Sequence, residues 1–139
     1  MIILDTNVLS ALMLHELDAA VASWIDRQAR TSVWTTSLTI FEIRHGLALI
    51  PSGRRQLELS LRFERAINEK LEQRVLPFDQ PAAEEAATLM AARQRSGCTV
   101  ELRDTMIAGI ALAQRATLAT RNVRHFDDLS VPVVDPWQA

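Results

Sequence analysis

Five short apolar runs separated by helix-length segments constrain this chain more than any other feature. The first is MIIL, stopped by Asp5; the others are SVWTTS (32–37), RVLPF (74–78), TLAT (117–120) and VPVVD (131–135). Their apolar residues are near-continuous rather than alternating, as in parallel strands covered on both faces. The intervening segments read as helices. Val21, Trp24 and Ile25 share one face, and Leu38, Phe41 and His45 share another. Leu57 and Leu61, then Phe63, Ile67 and Leu71, repeat at four-residue spacing over 54–72. Asp79 is placed to cap an alanine-rich helix with Pro81 in its first turn, and Gly97 to end it. A further helix covers 102–115, with Met106, Ile107 and Ile110 on its apolar face. Strands alternating with helices require right-handed crossovers, so the fold class is α/β with a parallel sheet between helices.

In such a sheet, ligands bind beyond the carboxyl ends of the strands. Asp5, Ser37 and Thr120 close predicted strands and therefore point to one edge. Glu42 sits about a turn into the helix after SVWTTS, and Asp104 begins the helix at 102–115. Each has an ordinary alternative: Asp5 or Asp104 as a helix cap, Glu42 as a solvated position. Glu42 is nevertheless embedded in SLTIFEI, and Asp104 precedes a helix that reads as buried on most sides. Carboxylates gathered at one edge repel each other unless a cation neutralises them. Oxygen ligands without thiolates favour Mg²⁺ or Mn²⁺ over zinc, and His15, His45 and His125 show no zinc-ligand spacing. His45, three residues after Glu42, packs or supports that site from behind. Such an ion suits substrates rich in phosphate oxygens.

The 139 residues are expected to form one domain, 1–139, large enough for its own core. Net charge is −2, against a strongly basic, indiscriminate nucleic-acid binder. Fourteen of the fifteen basic residues are arginine, a planar fork suited to phosphate, but abundant alanine makes GC-rich coding the better explanation, so the bias only permits such a role. A lone Cys98 precludes an internal disulfide, and no apolar stretch is long enough for a membrane span, so a cytoplasmic location is expected. A phosphorylatable receiver domain needs a lysine beside its pocket, but the sole Lys70 lies in the charged stretch ERAINEKLEQR. A phosphatase forming an aspartyl-phosphate wants a second aspartate two residues after Asp5, where Asn7 stands.

MIILDTNVLSAL, TTSLTIFEIRHGL, GCTVELRDTMIAGIA and LATRNVRHF, in that order and spacing, resemble the four motifs of PIN-domain ribonucleases. The likeness covers nearly the whole chain and is greatest to the VapC toxins and the FitB-like branch of bacterial toxin–antitoxin systems. It implies a three-layer α/β/α domain with a five-stranded parallel sheet, and acids that bind one or two Mg²⁺ or Mn²⁺ ions. Position by position, Asp5, Glu42 and Asp104 match the principal acids, with Asp5 and Asp104 anchoring the metal. Thr6 and Asn7 match the polar pair after the first acid, and Thr120 the hydroxyl residue ending the fourth strand. Asn122 stands where the family often carries a fourth acid, which puts a complete second metal site in doubt; Asp127 and Asp128 read as surface residues. Arg44, Arg103 and Arg121 are candidates for flanking phosphates. The implied activity is RNA phosphodiester hydrolysis, and the implied partners are a small antitoxin and a second copy in a homodimer. A catalytically weakened PIN domain that binds RNA or protein without cutting is the alternative. Leu57, Leu61 and Ile67 belong to an antitoxin groove, a dimer surface or the core.

Overall fold

The computed structural model describes residues 1–139. In chain order the elements are β1 (Ile2–Leu4), α1 (Thr6–Leu12), α2 (Ala19–Asp26), β2 (Val33–Thr36), α3 (Ser37–Leu49), α4 (Arg54–Arg65), β3 (Val75–Leu76), α5 (Gln80–Arg95), α6 (Leu102–Gln114), β4 (Thr117–Ala119) and β5 (Val133–Val134). The sheet has five strands in the order β3-β2-β1-β4-β5, every pair parallel. The expected class and strand count are met. The outer strands are shorter than their apolar runs because Pro77 and Pro132 have no N–H for a ladder. Pro132 contributes only its carbonyl, which accepts from the Leu118 N–H at 2.9 Å.

Alternation along the strands builds two cores, one on each face of the sheet. Ile3 and Leu118 face α5 and α6, in a cluster with Leu76, Ile107, Ile110 and Phe126. Leu4 and Ala119 face the other way, onto α1–α4 with Val8, Trp24, Ile43 and Phe63. This is the three-layer arrangement. In the first layer α6 lies very close to α5: a Cβ on Gly109 would sit 2.5 Å from the Ala82 carbonyl oxygen and 2.7 Å from the Ala86 Cβ. The alanines of α5 and the glycine within IAGIALA are thus matched small residues at one crossing.

Helix ends follow local chemistry. Asp18 caps α2, Thr36 caps α3 and Asp79 caps α5, each side chain accepting from a backbone N–H of the first turn. Gly97 follows α5 with φ +76°, the left-handed turn that glycine permits. The helix expected over 54–72 leaves α-geometry at Arg65 and continues as a π turn, Ala66–Lys70. Phe63, Ile67 and Leu71 are buried. Leu57 and Leu61, however, are 62% and 45% exposed, so the core assignment fails for both. Phe41, expected on an apolar face, is 57% exposed and stacks on the exposed His45 ring at 5.9 Å. No helix is long and apolar enough to cross a membrane.

Candidate active site

Asp5 follows β1 between β2 and β4, so the sheet fixes its backbone: its N–H donates to the Ala119 carbonyl at 2.9 Å. It is also the N-cap of α1, with Oδ1 accepting from the Thr6 N–H at 2.8 Å. The other oxygen, Oδ2, accepts from the Thr120 hydroxyl at 2.8 Å and from Asn7 Nδ2 at 3.3 Å. Only 4% of Asp5 is exposed. Burial pushes its carboxyl above the usual aspartate range; the Thr120 and Thr6 hydrogen bonds pull it down, and the charges of Asp104 and Glu42 push it up again. Asp5 therefore feels the charge of both other acids that the sequence singles out.

Two hydrogen-bonded arms hold this centre. On one side Thr6 donates its hydroxyl to Glu42 Oε1 at 3.0 Å and lies 3.1 Å from the Thr39 hydroxyl. On the other, Asn7 Oδ1 accepts from the Arg121 N–H at 3.1 Å, and Thr120 Oγ1 accepts from the Asn122 N–H at 3.0 Å. The polar pair Thr6-Asn7 thus aims Asp5 and joins it to both neighbouring strand ends. Asn122 is engaged through its backbone, and its side chain is exposed at the rim.

Asp104 lies in the first turn of α6. Its N–H donates to Glu101 Oε2 at 2.7 Å, so Glu101 and not Asp104 caps that helix. His125 Nδ1 lies 2.9 Å from Asp104 Oδ2. Zinc-ligand spacing gave no reason to single out His125, but its place within TRNVRHF, beside Asn122, was the available signal. His45 points away, onto Phe41. Asp128 reaches solvent as expected, yet it grips a buried arginine. Arg93 Nε and Nη2 donate to its two oxygens at 2.8 Å each, while Nη1 and Nη2 donate to Thr105 Oγ1 and the His125 carbonyl. That clamp ties the turn at Val123–Phe126 to α5 and α6, and so supports His125 beside Asp104.

The donor set suits a hard cation. Neither Asp5 nor Glu42 enters any of the ion pairs the protein forms. No three His, Cys, Asp or Glu side chains close into a ready metal cage. An ion that keeps several waters needs only one or two carboxylates.

Helices on both faces of one parallel sheet, with Asp5 and Glu42 unpaired at its carboxyl edge, define the class. A sequence profile of the PIN domain matches residues 2–131, and the chain belongs to that family. It is 40% identical over 139 residues, the whole of both chains, to the plasmid stability protein StbB of Pseudomonas syringae pv. tomato. To the VapC ribonuclease Y4jK of Sinorhizobium fredii it is 38% identical over 138 residues, 99% of each. The crystal structure of FitAcB from Neisseria gonorrhoeae superposes with a TM-score of 0.89 at 32% identity, covering 100% of both chains.

Proposed function

We propose that residues 1–139 act as one PIN-like domain, a metal-dependent endoribonuclease serving as the toxin of a cytoplasmic toxin–antitoxin module. The observation that carries this is the acidic edge: Asp5 is buried beside two more carboxylates with no cation to balance it. Asp5 and Asp104 would hold Mg²⁺ or Mn²⁺. When bound, such an ion lowers the pKa of a coordinated water and offsets charge on the phosphate under attack. The protein's own part is orientation. The strand end and the α1 cap fix Asp5, Thr120 and Asn7 hold its outer oxygen, and Thr6 aims Glu42 at the same space. Glu101 and His125 hold Asp104, while the Asn122 side chain is free to orient a water or a substrate oxygen. The ribonuclease name of Y4jK favours cutting over binding alone.

A small antitoxin and a second copy of the chain are the proposed partners. Exposed Phe41, Leu49, Leu57 and Leu61 on α3 and α4 supply apolar surface for such contacts. Leu57→Asp with Leu61→Asp should weaken one of these assemblies.

The test is cleavage of single-stranded RNA by purified protein with Mg²⁺, and with EDTA. Asp5→Asn keeps a capping oxygen and should lower cleavage by about a thousandfold, the equivalent of roughly 4 kcal/mol, with an unchanged circular dichroism spectrum. Asp104→Asn should do likewise. Full activity in EDTA or in either variant would sink the proposal. Sequencing RNA ends after induction of wild type and of Asp5→Asn would identify the substrate.

A further inference from the structure

Three arginines near the site were candidates for phosphate contacts, and the structure separates them. Arg44 is committed: its guanidinium lies 4.7 Å over the Phe63 ring and 3.8 Å from Glu64. Arg103 lies 3.8 Å from Glu101. Arg121 shares the aromatic stack of Arg44 but differs from both in its position and in having no acidic partner. Its backbone N–H is bonded to Asn7 Oδ1, and Asn7 in turn donates to Asp5 Oδ2, so it stands beside the acidic centre. It enters no ion pair. And its guanidinium is stacked on the indole of Trp137, 4.6 Å from the ring centroid.

Trp137 is well placed to hold that stack. It follows β5, whose carboxyl end lies beside Thr120: the Thr120 N–H donates to the Val134 carbonyl at 2.9 Å. The Trp137 N–H donates to Asp135 Oδ1 at 2.9 Å, closing a turn, and its ring packs against the α1–α4 core. An indole face restrains a guanidinium without neutralising it and leaves the N–H edge free for an anion. The sheet edge therefore carries carboxylates at its centre and one restrained, uncompensated cation on the β5 side.

We infer that the Arg121–Trp137 stack docks an RNA phosphate next to the one that is cut, with Arg121 making the contact and Trp137 acting as a positioning residue. This rests on the ribonuclease reading above.

The experiment uses the Asp5→Asn chain without added metal, so that RNA cleavage is minimal, and measures binding of a single-stranded RNA oligonucleotide by fluorescence anisotropy across a salt series. Adding Arg121→Ala should weaken binding about tenfold and flatten the slope of log K against log salt by about 0.7, one phosphate contact on a single strand. Arg121→Lys should keep the slope. Trp137→Leu should weaken binding about two- to fivefold, with Trp137→Phe in between, and this loss should vanish when Arg121 is already alanine. Equal salt slopes with and without Arg121 would overturn the phosphate contact. A Trp137→Leu loss of the same size in both backgrounds would overturn the positioning role. Arg121→Ala weakening an antitoxin complex while sparing RNA binding would reassign the arginine and defeat the inference. If wild-type protein neither binds nor cuts RNA, the ribonuclease reading itself falls, and this falls with it.

Discussion

Two carboxylates in this molecule are gripped by hydrogen bonds, and they are treated in opposite ways. Asp128 faces a guanidinium that donates twice at 2.8 Å, and its hydrogen bonds to Arg93 hold its carboxyl below the ordinary aspartate range despite partial burial. Asp5 receives hydroxyl, amide and backbone donors but no cation, and burial lifts its carboxyl above that range. The Arg93–Asp128 pair is electrostatically complete and ties α5, α6 and the 123–126 turn together. The Asp5 centre is complete in hydrogen bonds and incomplete in charge. A folded chain tolerates such an imbalance where a ligand is meant to correct it.

The sharpest way to break this contrast is to remove Asp128. Asp128→Ala strands the Arg93 guanidinium, 7% exposed, with only Thr105 and a carbonyl as acceptors. Because the Asp128 carboxylate is itself 40% exposed, the cost should be about 2 kcal/mol, less than for a fully buried pair, read from urea unfolding; a cost below about 0.5 kcal/mol would show that the pair contributes nothing.

The next effect has the opposite sign and needs only an ion. Mg²⁺ at ten times its Kd should add about 1.4 kcal/mol to stability. Asp5→Asn should abolish most of that gain, seen as an unmoved melting temperature, whereas Asp128→Ala should retain it.

The pH dependences of the two carboxylates should also diverge. Asp5 binds its proton more tightly folded than unfolded, so its contribution falls as pH rises above 3.8 through its raised folded value. Asp128 is the reverse: its contribution is present above 3.8 and is lost as pH falls through its lowered folded value. Unfolding measured in steps from pH 3 to 7 should show Mg²⁺ stabilisation growing with pH. Mg²⁺ effects of equal size at pH 3.5 and 7 would contradict the assignment.

The smallest effect comes from Glu42→Gln, which preserves an oxygen for the Thr6 hydroxyl and deletes one repelling charge. Metal-free protein should gain about 0.5 kcal/mol at pH 7 while losing RNA cleavage. A loss of stability would mean that Glu42 contributes through packing instead.

The sheet and the acid positions were legible because they depend on short-range patterns. A parallel strand is a continuous apolar run, and Asp5 interrupts the first of them. SLTIFEI places a single charge in apolar company, and in ELRDTMIAGIA Asp104 is the last charge before an apolar helix. What escaped are pairings across long stretches of chain. His125 meets Asp104 across 21 residues and Asp128 meets Arg93 across 35, and no spacing rule announces either. Glu101 was readable in principle, since an acid three residues before Asp104 can cap the same turn. Leu57 and Leu61 misled because periodicity identifies an apolar face without saying whether the chain itself covers it. Gly109 gave a similarly mute signal: its close approach to Ala82 and Ala86 exists only once α5 and α6 have met.

The hydroxyl of Thr120 seats a carboxylate 115 residues earlier in the chain. Synthesis proceeds from the N terminus, so β1 and Asp5 emerge long before the strand that must lie beside them. Until residues 117–120 take their place next to β1, the carboxylate lacks the donor that orients its outer oxygen. The order of synthesis itself thus keeps the growing chain from acquiring a finished centre early.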